Sequence, residues 1–70
     1  DWKTLVQMVV DQRGLGPIEY QVEGTGPDHD RTFSATLMVG GKAYATAQAK
    51  TKKDAERLAA WQSLTDLEQA

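Results

Sequence analysis

Lys50-Thr51-Lys52-Lys53-Asp54-Ala55-Glu56-Arg57-Leu58-Ala59-Ala60 opens a helix with charge of the wrong sign, and the reading of the whole chain turns on it. Thr51 suits the N-cap, and Asp54 three residues later completes a Thr-x-x-Asp capping pattern. The first turn then holds Lys52 and Lys53. A helix N-terminus already carries partial positive charge, so each exposed cation there costs about 0.3 to 1 kcal/mol. Folding alone would not select this pair. An anion docked against the free N–H groups of the first turn and the two ammonium groups would, and phosphate fits best.

Moving outward from that start, the helix is predicted from Lys52 to about residue 67, with Ala55, Ala59, Ala60, Leu64 and Leu67 facing inward. Its alanines allow close approach to a sheet. Upstream, Lys42 to Ala49 is predicted as a strand, with small residues at Ala43, Ala45, Ala47 and Ala49 and the wider Tyr44 and Thr46 between them. Gly40-Gly41 suits a tight hairpin turn. Before it, Phe33, Ala35, Leu37 and Val39 alternate with Thr32, Ser34 and Thr36, which predicts another strand. The stretch Gly24 to Asp30 is too rich in turn formers to continue a strand and is expected as an exposed loop. Ile18, Tyr20 and Val22 alternate with Glu19, Gln21 and Glu23, a half-buried strand.

Asp1 to Gln12 carries helical periodicity, with Val6 and Val9 on one stripe, Leu5 and Val10 beside them, and Gly14 as the stop. Lys3, Gln7 and Asp11 form an opposite polar ridge, with Thr4 beside Gln7. The order is αβββα: an α+β fold, a three-stranded antiparallel sheet with two helices packed on one face.

Seventy residues make one small domain, residues 1–70, which buries only roughly 60 % of the surface its unfolded chain exposes. The chain begins at Asp1 rather than Met, as expected of a piece cut from a longer protein. It lacks cysteine, which excludes disulfides and thiolate chemistry and fits a reducing cytoplasm. No apolar run approaches a membrane span, so a cytoplasmic location is expected. Net charge is −2 and the pI is near 5.1, which taken alone argues against a nucleic-acid binder. The average conceals segregation: Lys50 to Arg57 has four basic and two acidic residues, the remainder four basic and eight acidic. A concentrated basic footprint on an acidic body orients an anionic partner.

Four segments in fixed order carry a resemblance. They are Asp1-x-Lys3-Thr4-x-x-Gln7, Pro17-Ile18-Glu19-Tyr20, Gly26-Pro27-x-His29-x-x-x-Phe33, and Lys52-Lys53-x-Ala55-Glu56-x-x-Ala59-Ala60. Together they resemble the double-stranded RNA-binding domain, most closely the copy at the C-terminal end of bacterial ribonuclease III. The resemblance implies recognition of an A-form duplex by shape over about 16 base pairs. It implies that the first helix, through Thr4 and Gln7, lies in one minor groove. The loop with Pro27 and His29 would enter the next, and Lys50, Thr51, Lys52 and Lys53 would grip the phosphates between. Met8 and Asp11 stand where relatives often carry Glu and Gln, so fewer groove hydrogen bonds are expected, with Asp11 repelling a phosphate. Ala47 and Ala49 stand where relatives often carry Gly.

Catalytic residues are not expected in this chain. Metal-assisted phosphodiester cleavage needs convergent carboxylates, and the acidic residues here are scattered. No cofactor is expected, and Mg²⁺ would belong to a neighbouring nuclease domain, through which a homodimer would also form. His29 lacks the partners of a metal site. A splayed base is needed for aromatic stacking, so Trp2 and Trp61 are expected to pack or cover instead. The alternative function, from another class, is a protein-interaction or dimerisation copy of the same fold with weak or no RNA affinity. The acidic pI, Met8, Asp11 and Trp61 keep it in play. Removing Lys52 and Lys53 would abolish function in the first reading and spare it in the second.

Overall fold

The computed structural model describes residues 1–70 and has the expected order: α1 (Trp2–Arg13), β1 (Ile18–Thr25), a 3₁₀ turn (Asp28–Asp30), β2 (Thr32–Val39), β3 (Lys42–Ala49) and α2 (Lys52–Gln69). The sheet is antiparallel throughout, in the order β1-β2-β3. α2 lies against β2 and β3, and α1 packs beside α2. No helix is long and apolar enough to cross a membrane.

The Asp1 carboxylate accepts the Lys3 N–H at 3.2 Å and caps α1, and the Gly14 N–H closes its far end on the carbonyls of Val10 and Asp11. Val6 and Val10 are buried, with Val9 packed at the margin. Leu5, expected beside this stripe, is 40 % exposed. It lies about 100° around the helix from Val6, beyond the strip that one neighbouring helix covers.

β1 alternates half-buried and exposed residues along its whole length and runs two residues further than expected. Gly24 and Thr25 pair with Phe33 and Thr32, so the loop is confined to Gly26–Arg31. Glycine here marks a close approach of other groups to the strand, which its neighbours' turn-forming character concealed. Val39 and Lys42 are joined by Gly40 (φ 57°) and Gly41 (φ 80°), the two positive φ angles of a type I′ turn. A Cβ on Gly40 would also meet the Leu15 carbonyl, and the Gly40 N–H donates to the Pro17 carbonyl at 2.9 Å. The hairpin tip is thereby locked to the α1–β1 connection.

β3 departs from strict alternation. Thr46 pairs with Thr36 but Ala43 pairs with Met38, so Tyr44 and Ala45 together face Leu37 across a β-bulge. The extra residue inverts the parity: Tyr44 turns inward to pack on the core and Ala43 is exposed, where simple alternation put Ala43 with the other alanines. The bulge also removes the sheet partner of the Ala45 N–H. That N–H donates instead to Ser63 Oγ at 3.0 Å, and the Ser63 hydroxyl donates to the Ala59 carbonyl at 2.7 Å. Ser63 is therefore fully buried on α2, whereas the apolar Leu64, expected inward, is only half-buried.

Two apolar clusters result. Val6, Val10, Leu37, Val39, Ala60 and Leu67 form the larger. Ala35, Ala47, Ala55 and Ala59 form the other, under the first half of α2. Val22, Phe33 and Ala49 pack at its margin, and the small alanines at its centre set how the basic first turn of α2 stands over the sheet.

Candidate nucleic-acid interface

Thr51 has extended backbone angles (φ −129°, ψ 153°), and its hydroxyl oxygen accepts the Asp54 N–H at 3.1 Å. Only half of the expected capping box forms. Asp54 turns its carboxylate to Arg57 instead, at 3.4 Å. The Thr51 hydroxyl proton stays free to donate outward. Of the cations in this stretch, Arg57 is thus paired, and Lys50 Nζ pairs with Asp30 at 3.1 Å and bonds Thr32 Oγ1 at 3.3 Å. Lys52 Nζ stands 5.9 Å from the Phe33 ring centroid, and Lys53 has no ion-pair partner. Both side chains are exposed in a first turn that holds one acidic residue, Asp54.

Pro27 opens the short turn that presents His29. Its carbonyl accepts the Asp30 N–H at 2.9 Å, and Asp28, His29 and Asp30 are all exposed. The Lys50–Asp30 pair ties this turn to the approach of α2. On α1, Thr4 donates its hydroxyl to Asp1 at 3.4 Å, and the Gln7 amide donates to Asp11 at 2.9 Å. Lys3 leaves the polar ridge in which it was expected. Its ammonium turns to Glu56 of α2 at 2.6 Å and lies 4.7 Å from the centre of the Tyr20 ring. Burial, and then the negative charge of Glu56, push the Tyr20 phenol from 10.0 up to about 12, and its buried hydroxyl has no hydrogen-bond partner.

The two ion pairs flank the start of α2. Lys3–Glu56 joins it to α1, and Lys50–Asp30 joins it to the His29 turn. Thr4 and Gln7, then Lys52 and Lys53, then His29 therefore belong to one linked set of elements.

Sequence reasoning passed over Arg31. Its guanidinium donates to the Gly26 carbonyl at 3.3 Å and sits 5.9 Å from the Phe33 ring, which it shares with Lys52. Any Cβ on Gly24 would collide with it. Gly24 could have signalled this, but the turn formers after it hid that it lies inside a strand. Trp2 and Trp61 pack on each other across the two helices, centroids 6.2 Å apart and tilted by 47°, while staying 43 % and 50 % exposed.

Comparison with known proteins places this geometry. Residues 2–67 match the family described as "Double-stranded RNA binding motif". Ribonuclease 3 of Nocardia farcinica is 47 % identical over 68 residues, covering 93 % of this chain and 28 % of that protein. Ribonuclease 3 of Streptomyces coelicolor is 48 % identical over 67 residues, covering 91 % and 24 %. The chain thus spans about a quarter of the length of these relatives. Among solved structures, one of Arabidopsis HYL1 superposes with a TM-score of 0.83 at 27 % identity, covering 94 % of both chains. The second double-stranded RNA-binding domain of DRB4 superposes with a TM-score of 0.75 at 30 % identity, covering 100 % and 99 %. Both the matched residues and the αβββα architecture lead to one conclusion: the chain belongs to the double-stranded RNA binding motif family.

Proposed function

We propose that this domain binds double-stranded RNA by shape, laying Thr4 and Gln7 in one minor groove and His29, presented by Pro27, in the next. Lys50, Thr51, Lys52 and Lys53 grip the phosphates between. The observation that carries this reading is the bracketing of the α2 start by the Lys3–Glu56 and Lys50–Asp30 pairs. It ties the three RNA-facing regions to one another, the arrangement that recognition of a duplex by shape calls for. Lys52 and Lys53 supply charge that releases counterions, and the acidic remainder of the chain disfavours other orientations.

Within a longer protein, the domain serves as the substrate-holding module of a ribonuclease III-type endoribonuclease. The relatives named Ribonuclease 3, of which this chain covers about a quarter, support that role. Cleavage, the Mg²⁺ it uses and dimerisation then belong to the remaining part, and the tether raises the effective concentration of duplex at the nuclease centre. A series of RNA duplexes of increasing length, titrated at fixed salt, tests the two-groove geometry. Affinity is expected to climb until about 16 base pairs and then level off. Full affinity for duplexes of half that length would leave room for one groove only and overturn it.

A further inference from the structure

We propose that Asp11 is a positioning residue: by holding the Gln7 amide it presents a hydrogen-bond acceptor to the minor groove and thereby sets the preference for a ribose 2′-hydroxyl. The inference rests on the duplex-RNA reading above. Asp11 is otherwise hard to account for. It lies in the last turn of α1, where negative charge opposes the helix dipole, it forms no ion pair, and it would repel a nearby phosphate. Its one side-chain bond is to Gln7, with Nε2 donating to Oδ1 at 2.9 Å.

That bond has a direction. A carboxylate only accepts, so the Gln7 amide must offer an N–H to it, and the carbonyl Oε1 is left without a protein donor. An amide held this way has an acceptor to give a ligand. A 2′-hydroxyl can donate to it, whereas a 2′-hydrogen or 2′-fluorine cannot. Without Asp11 the amide turns over freely and offers N–H as readily as C=O, so the groove no longer has to supply a donor. An exposed i,i+4 Gln–Asp bond biases the amide only about twofold. Water exclusion in a groove strengthens such a bond.

The probe is an RNA duplex of about 20 base pairs and the same duplex with 2′-fluoro riboses, which stays A-form but lacks the hydroxyl donor. Native protein, Asp11→Glu, Asp11→Ala, Gln7→Ala and the Asp11→Ala/Gln7→Ala double variant are titrated with both. Glu keeps a carboxylate, which only accepts, opposite Gln7. Expected is that Asp11→Glu keeps the native ratio of the two affinities. Asp11→Ala lowers that ratio by about two- to fivefold, and adding it to Gln7→Ala lowers it no further. A native ratio in Asp11→Ala, an equal drop in Asp11→Glu, or an undiminished Asp11→Ala effect on the Gln7→Ala background would overturn the inference alone. A native protein that binds the two duplexes equally overturns it too, and if that protein also ignores the difference between duplex RNA and duplex DNA, the duplex-RNA reading fails with it.

Discussion

Lys50 and Asp30 meet at 3.1 Å, joining the approach to α2 to the turn that carries His29, while Lys53, three residues further along, has no ionic partner. The difference ranks the cations. Lys50 already has a carboxylate and acts first as a clip between two RNA-facing regions, whereas Lys52 and Lys53 stand free of carboxylates in a positive helix start.

Replacing Lys52 and Lys53 together with Ala should weaken binding to all duplex sequences alike and reduce the slope of log affinity against log salt by about one unit for each phosphate no longer neutralised. Lys50→Ala should change the slope by less. Thermal stability of the double variant should hold or rise slightly, because two cations leave a positive helix end. Binding isotherms over a salt series, with melting curves alongside, check both halves. Unchanged slopes in the double variant would place the phosphate anchor elsewhere.

His29→Ala should give another signature. The side chain is exposed at the middle of its turn and makes no hydrogen bond in the protein, so folding should be unaffected. Hydrogen bonding and packing in a groove would disappear, with affinity falling moderately and the salt slope staying the same. A melting temperature lower by several degrees with native affinity per folded molecule would make His29 a turn-forming residue instead.

Much of this arrangement was legible in the chain, and what was not has identifiable causes. The Gly40-Gly41 turn and the bounds of β3 followed from local chemistry, as did the start of α2 at Thr51, since each depends on residues adjacent in sequence. The β-bulge was hidden because nothing in Ala43-Tyr44-Ala45 declares which residue is extra; Leu37 and Ser63, distant in sequence, decide it. For the same reason Ser63 was passed over as polar and Leu64 preferred. At the interface, residue types identified Gln7, Lys50 and Lys3 as polar, but only the fold assigns them their partners Asp11, Asp30 and Glu56.

Tyr20, beside the Lys3–Glu56 pair, gives a pH-dependent test of its own burial. Its phenol is raised from 10.0 to about 12 in the folded protein, so the folded state holds that proton more tightly than the unfolded chain. The associated stability is fully present below pH 10 and is lost as pH rises from about 10 through about 12. Tyr20→Phe should remove this part of the loss, and should cost little at neutral pH because the buried hydroxyl has no partner to forfeit. Denaturant unfolding of both proteins between pH 8 and 12 isolates the effect from lysine titration, which the two share. Parallel stability curves for the two would mean that Tyr20 ionises as freely folded as unfolded.

Recognition of duplex RNA by its shape and hydroxyls is tested most directly by titration with duplex RNA and duplex DNA of the same sequence at one salt concentration. The groove spacing bridged by α1, the α2 start and the His29 turn belongs to the A-form, and B-DNA offers neither that spacing nor a 2′-hydroxyl to Gln7. The expected result is clear preference for RNA, retained as salt is raised, with DNA binding confined to the salt-sensitive contribution of Lys52 and Lys53. Equal affinity for the two duplexes would contradict recognition by shape and reduce the domain to a general binder of polyanions.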